Sequence, residues 1–346
     1  MITFHNPLHQ LHAPVHEFYR GERVPCFEKP ARADYVEQAL RAGGCTLLPP
    51  EVDSAETLVQ VHDRRYLQFL QTAWDQWLAL DAANAHTQPF PSVWPVRSLR
   101  SDIEPRNFVA RLGLYSMDNG TPLAAGSWQA AKAGADTVAS AAMRVAQGAR
   151  AAFACTRPPG HHAGPDFMGG YCFLNNAAVA AQLLRNQGAE RVAVLDVDYH
   201  HGNGTQSIFY GRKDVLFVSI HGDPLTEYPF YLGHADEAGV GEGAGYNLNL
   251  PLPAGTDVAG WFGALESACE RIQRHDAQAL VVSLGLDTFE GDPISRFALQ
   301  TSDFARLGER LARLGLPTVF ALEGGYAAAE LGNNAMNVLT GFEAAA

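Results

Sequence analysis

The stretch "LDVDYHHGNGTQ" (195–206) places Asp196, Asp198, His200 and His201 within six positions, at the end of the apolar run "RVAV" (191–194). Carboxylate and imidazole groups are costly to bury unless something neutralises them. Side chains of an extended strand alternate faces with period two. Asp196, Asp198 and His200 therefore share a face, provided the strand runs on to His200. Such O and N donors suit a borderline metal such as zinc. A catalytic zinc site wants three protein ligands and an open position. The third candidate is Asp287, in "SLGLDTFEGDP" (283–293), just past another apolar run. Two further clusters occupy equivalent places. "RPPGHHAG" (157–164) sets His161 beside His162, a pair that could supply a general base and an electrostatic partner next to a metal. "ALEGGYAA" (321–328) uses glycines to aim Tyr326, whose hydroxyl could donate to a developing oxyanion. Each cluster alone is explained by a solvated turn; all of them together, each after an apolar run, are not.

The elements that must hold these groups are legible in the second half of the chain. Runs at 151–156, 191–197, 214–220, 279–285 and 317–322 read as strands, and 173–187, 257–274 and 302–314 as helices. Thr256 and Asp257 are candidate caps of the second helix, Thr301 and Ser302 of the third. Near-continuous apolar strands joined by helices predict an α/β fold. It is a single domain with a mostly parallel sheet covered by helices on both faces. Ligands in such sheets bind at the carboxyl ends of the strands. In the first half, 31–42, 54–73 and the Ala-rich 122–146 read as helical. Residues 81–121 carry several prolines, Trp94 and weak periodicity. That is too long for an ordinary loop and predicts an insertion with a function or an interface.

Composition narrows the partners. The chain has 346 residues, 47% of them hydrophobic, and a net charge of −12. That charge speaks against a nucleic-acid surface and suits a small cationic substrate. No apolar run is long enough for a membrane span, and the first residues lack a signal-peptide pattern. The five cysteines are scattered, without a CxxC pair. A reducing compartment, with the cytoplasm as default, is expected.

"RPPGHHAG", "GYCFLNN", "DVDYHHGNGTQ", "VSIHGDP", "LGLDTFEGDP" and "EGGY" together resemble the signature segments of zinc-dependent deacetylases in the arginase/histone deacetylase superfamily. The resemblance runs from residue 1 to about 342, in the family's order. It implies one catalytic Zn²⁺ per chain on Asp198, His200 and Asp287, with His161, His162 and Tyr326 as the catalytic groups. Asp196 would orient His161 and join a structural K⁺ site with Ser219 and the carbonyls of Asp198, His200 and Ile220. A second K⁺ site would use carbonyls near Phe209, Arg212, Val215 and Tyr246. Many relatives carry aspartate where this chain has Asn203. A neutral partner there should leave His162 less readily protonated. Arginases share the expected fold but hold two manganese ions with a denser set of aspartates.

The resemblance also implies a narrow tunnel, for which Tyr171 and Phe230 are the candidate aromatic walls. His162 would take a proton from the attacking water, and Tyr326 would hold the oxyanion. Segment 74–121 resembles the insertion of the acetylpolyamine amidohydrolases in position and length. It implies a homodimer whose segment 81–108 packs on the partner and crowds the partner's tunnel mouth. Acetylated polyamines such as acetylputrescine or acetylcadaverine are then the expected substrates. Glu17, Glu104 and Asp118 are candidate ammonium contacts, Glu17 and Glu104 ahead of Asp118. The alternatives are an acetyl-lysine protein deacetylase and a catalytically silent module that binds acyl-amines.

Overall fold

The structure is a computed structural model and describes residues 1–345. The chain opens with β1 (Ile2–His5), a two-stranded antiparallel hairpin of β2 (His16–Tyr19) and β3 (Glu22–Pro25), α1 (Ala31–Ala42) and the short β4 (Leu47–Leu48). Helices α2 (Ala55–Val61), α3 (Arg64–Leu80), α4 (Phe108–Leu114) and α5 (Ser127–Ala146) follow. Strands and helices then alternate through β5 (Ala151–Cys155), α6 (Asn176–Asn186), β6 (Val192–Asp196), α7 (Asn203–Phe209) and β7 (Val215–Gly222). The chain continues with β8 (Asn247–Leu252), α8 (Val258–His275), β9 (Ala279–Leu284), α9 (Asp303–Ala312), β10 (Thr318–Leu322) and α10 (Ala328–Ala344).

Eight strands form one sheet in the order β4-β1-β5-β10-β9-β6-β7-β8, and every neighbouring pair is parallel. The central strands are apolar at almost every position because both faces are covered. Ala152, Ala154, Val192, Val194, Phe217 and Val281 face the layer that holds α3, α5 and α6. Their neighbours Phe153, Ala193, Leu195, Leu216, Val282 and Phe320 face the layer of α1, α8, α9 and α10. The run of small residues in α5, from Ala130 to Ala142, lets that helix lie close to the sheet and α6.

The five strands expected from the apolar runs are present to within two residues at each end. Three differences have physical causes. The helix expected over 54–73 is two helices, because His62 turns extended and Asp63 starts α3 by accepting the Arg65 N–H at 2.7 Å. Asp257 does cap α8, through the Gly260 N–H at 2.8 Å, but Ser302 makes no side-chain cap to α9. Most important, β6 stops at Asp196 and does not extend to His200. Beyond it, the Asp198 N–H donates to Asp196 Oδ1 at 3.1 Å and the His200 N–H to Asp198 Oδ1 at 2.9 Å. Two successive Asx-type turns, not strand alternation, aim these side chains.

Candidate active site

The polar clusters sit past the carboxyl ends of β5, β10, β9 and β6, which are consecutive neighbours in the sheet. From β9 and β6 come the three expected metal ligands. Donor atoms of Asp198, His200 and Asp287 all lie within 4.8 Å of one another. His200 Nδ1 is 3.1 Å from Asp287 Oδ2 and 3.4 Å from Asp198 Oδ1. Both carboxylates are fully buried, and Asp287 Oδ1 also accepts the Tyr199 N–H at 2.8 Å. Burial and the neighbouring Asp198 push the Asp287 carboxyl up to about 8. For Asp198, burial is outweighed by His161 and His200, which hold its carboxyl well below the usual range. Two buried carboxylates facing one imidazole at this spacing are a donor set that a divalent cation neutralises. The backbone is shaped to permit it. A Cβ on Gly324 would lie 2.5 Å from Asp198 Oδ2 and 2.8 Å from Asp287 Oδ2, so only glycine fits there.

A second buried group, His161, Cys172 and Glu323, also has clustered donor atoms. Its atoms are engaged elsewhere. Glu323 Oε2 accepts the Gly160 and His161 N–H groups, the Cys172 thiol donates to the Gly170 carbonyl, and burial pushes that thiol far up.

The tandem histidines have different partners. His161 Nδ1 lies 3.0 Å from Asp196 Oδ2, and its Nε2 3.7 Å from Asp198 Oδ2. Burial disfavours the imidazolium, but Asp198 and Asp196 outweigh it and raise His161 to about 10. His162 is held well below the usual histidine range, by burial first and then by His161 and His200. Burial, His161 and His200 outweigh the Asn203 bond, which by itself favours the imidazolium. Its contribution is the tautomer. The Asn203 amide N donates to Met117 Sδ at 3.2 Å, which turns Asn203 Oδ1 toward His162 Nδ1 at 2.7 Å. An oxygen acceptor there puts the ring proton on Nδ1 and leaves Nε2 as a base.

Tyr326 follows β10. Its N–H donates to Asp292 Oδ2 at 2.7 Å, and the Arg32 guanidinium lies 4.8 Å from its ring centre. Arg32 also donates from Nε to the Gly325 carbonyl at 2.6 Å and pairs with the buried Glu28 at 2.9 Å. Asp292 and Arg32 had no sequence signal for this role, since the groups they hold, the Tyr326 N–H and the Gly325 carbonyl, are distant in the chain.

His162, His200 and Tyr326 line the floor of a cavity of about 900 Å³. Tyr171 is one wall, with its ring 5.5 Å from that of Tyr326. On the other side Phe230 lines the cavity mouth, as expected, and Tyr228 lies deeper. Phe230 is 47% exposed at the rim, whereas the Tyr228 ring stands edge-on to His162 at 5.1 Å and lies 6.0 Å from His200. The sequence "EYPFY" holds three aromatics without periodicity, so the loop alone did not say which turns inward.

The candidate carboxylates separate. Glu17 lines the cavity and is buried, with Oε1 accepting the Tyr171 hydroxyl at 2.9 Å and Oε2 accepting the Cys26 thiol and the Phe27 N–H. Asp118 also lines it. Glu104 does not reach the cavity of its own chain. It pairs with Arg111 Nε at 2.7 Å.

Asp196, the last residue of β6, is the register partner of Ser219 within β7. The Ser219 hydroxyl lies 2.8 Å from His221 Nδ1. Ile220 follows it inside β7. Around the expected second cation site, the Phe209 carbonyl accepts the Arg212 N–H and the Tyr246 carbonyl the Phe217 N–H. Val215 opens β7. Asp196 itself is fully buried, and removing one partner of a buried ion pair typically costs about 3–5 kcal/mol. Asp196→Ala should therefore lower the melting temperature as well as the rate. A wild-type melting curve would contradict the buried network around His161.

This fold, with Asp, His and Tyr gathered at one rim of the sheet, is that of a hydrolase family. The family model "Histone deacetylase domain" matches residues 26–342, and the chain belongs to that family. It is 53% identical over 344 residues to acetylpolyamine amidohydrolase 2 of Pseudomonas aeruginosa, covering 99% of each chain. It is 46% identical to the acetylpolyamine amidohydrolase of Mycoplana ramosa, over 96% of this chain and 97% of that one. The crystal structure of acetylpolyamine aminohydrolase from Burkholderia pseudomallei superposes with a TM-score of 0.95 at 42% identity, covering 100% of this chain and 99% of that one.

Proposed function

We propose that this chain hydrolyses the acetyl amide of acetylated polyamines, such as acetylputrescine or acetylcadaverine, to acetate and the free amine. One zinc ion per chain would be held by Asp198, His200 and Asp287. When bound, zinc polarises an amide carbonyl and lowers the pKa of water to about 7. The chain's own groups do the rest. His162 takes the proton of the attacking water at Nε2 and later gives it to the leaving amine. The Tyr326 hydroxyl donates to the developing oxyanion. His161, paired with Asp196, stabilises the charge that accumulates beside it. Asp196, Ser219 and nearby carbonyls would hold one K⁺, and the carbonyls around Phe209, Arg212, Val215 and Tyr246 a second.

The observation that carries the polyamine reading is the Glu17 carboxylate in the wall above this floor. Three donors fill three of its roughly four acceptor positions, which leaves one on Oε1 for a substrate ammonium. Glu17→Gln should raise KM for an acetylated diamine at least tenfold and leave an uncharged acetylated amine nearly unchanged. Burial raises the Glu17 carboxyl, so KM for the cationic substrate alone should also climb as pH falls through that raised value. Equal effects on both substrates would remove Glu17 from recognition. A catalytically silent binding module would take up zinc and bind the amine without releasing acetate.

The homodimer and a cytoplasmic location belong to the same proposal. Val93, Val96, Leu99 and Ile103 are each 57–59% exposed on the insertion, an apolar surface that a twofold partner would cover. The cysteines of the described residues are all unpaired, and no helix among them is long and apolar enough to cross a membrane. Deleting residues 93–103 should yield a monomer by sedimentation and improve activity on acetyl-lysine peptides. A dimer of unchanged affinity would place the interface elsewhere. Glu104 could act only at the partner's mouth, and only after leaving Arg111.

A further inference from the structure

Asp118 was expected to meet an ammonium, yet its carboxylate has no capacity left for one. Oδ2 accepts the Gly170 N–H at 2.7 Å and the Tyr228 hydroxyl at 2.6 Å. Oδ1 accepts the Gly120 N–H at 2.9 Å and the Thr121 hydroxyl at 3.2 Å. Four donors fill the roughly four acceptor positions of a carboxylate.

The identity of those donors is informative. Residues 115–117 run beside residue 168 as a short backbone ladder, with the Met168 N–H donating to the Tyr115 carbonyl and the Met117 N–H to the Met168 carbonyl, both at 2.9 Å. The ladder cannot continue through Gly170 and Tyr171, because both have positive φ, +52° and +67°. Side chains take over there. Asp118 receives the Gly170 N–H, and Thr121 Oγ1 receives the Tyr171 N–H at 2.9 Å. Gly170 in turn backs the catalytic imidazole so closely that a Cβ would stand 2.2 Å from His162 Cδ2. The same Asp118 oxygen reaches across to Tyr228, on the loop after β7.

Packing does not hold this segment from behind. Met117, Asp118, Asn119 and Phe167 line the tunnel on one side and an open hollow of about 580 Å³ under the insertion on the other. With space on both sides, the segment is placed by its hydrogen bonds.

We propose that Asp118 is a positioning residue that joins the two aromatic walls, Tyr171 and Tyr228, and so sets the tunnel width above His162 and Tyr326. It selects slender acyl-amines by shape and makes no contact with their charge. This rests on the amide-hydrolase reading of the site.

Asp118→Asn cannot reproduce four accepted bonds, since an amide has only one oxygen. The variant, Tyr228→Phe and the double variant are compared on three substrates. These are N-acetyl-1,4-diaminobutane, uncharged N-pentylacetamide and an acetyl-lysine peptide. We expect Asp118→Asn to keep its zinc and to lose about tenfold or more in kcat/KM, equally on the two slender substrates. The preference for them over the peptide should narrow. Tyr228→Phe should cost less and add little in the double variant, because both changes break one connection. A loss confined to the charged diamine would make Asp118 an ammonium contact and overturn the proposal; so would additive losses or unchanged selectivity. Should Asp118→Asn fail to fold, Tyr228→Phe decides alone, and wild-type selectivity in that variant contradicts the proposal. If the wild-type protein hydrolyses none of the three substrates, the amide-hydrolase reading has failed. A crystal structure of Asp118→Asn then settles the positioning role: displaced Tyr171 and Tyr228 rings support it, and unmoved rings refute it.

Discussion

Asp287→Ala should lose its tight divalent ion and all measurable amide hydrolysis while remaining folded. Asp287 is one of three side chains whose donor atoms converge within 4.8 Å, so its removal leaves a two-ligand site. Two ligands from one turn, Asp198 and His200, do not close a tetrahedral catalytic set. The structural cost is limited. The contact with His200 Nδ1 is lost, and the Tyr199 N–H loses its acceptor, worth about 1–3 kcal/mol for a buried donor left alone. Repulsion between two buried carboxylates is relieved at the same time. Metal analysis of the purified variant, beside its melting curve, checks both halves. Retention of a stoichiometric ion would remove Asp287 from the ligand set. Two ions per wild-type chain would point to the arginase-type chemistry instead.

Tyr326→Phe and His162→Ala should each lower kcat by about 10²–10³ with the metal content intact. Tyr326 contributes one hydroxyl at a place fixed by Asp292 from below and by Arg32 across its ring. Phenylalanine keeps the ring and those supports and deletes only the donor. His162 is kept neutral by burial first and then by the charge on His161, and Asn203 leaves Nε2 as its basic atom. Alanine removes the proposed proton carrier and leaves the three proposed metal ligands in place. Single-turnover rates separate these losses from changes in product release. A near-wild-type rate in either variant would place the chemistry elsewhere.

Much of the site was legible because it is built from strand ends. Apolar runs marked β5, β6, β9 and β10, and the polar residues just beyond them could only lie at one rim of a parallel sheet. The resemblance then gave each of these residues a role. What stayed hidden lies where local pattern carries no information. The loop after β7 brings Tyr228 down to His162 and leaves Phe230 at the cavity mouth through a fold that no periodicity encodes. The pairing of Glu104 with Arg111, and of Tyr326 with Asp292, joins residues whose proximity is a tertiary fact. The glycine-interrupted pattern over 328–344 did not read as a helix, although α10 packs against α1 and α9. Strand alternation would have aligned Asp198 with His200, and the Asx turns reach the same convergence by another geometry.

The measurement that bears most directly on the account is kcat/KM for acetate release from acetylputrescine, acetylcadaverine, acetylspermidine and an acetyl-lysine histone peptide, assayed side by side on the zinc-loaded protein. We predict that at least one acetylpolyamine exceeds the peptide by about 10² or more, as the proposed slender tunnel and the proposed Glu17 contact with the substrate charge require. A protein that prefers the acetylated histone peptide over every acetylpolyamine would contradict the substrate assignment, and one that releases acetate from none of them would contradict the hydrolase itself.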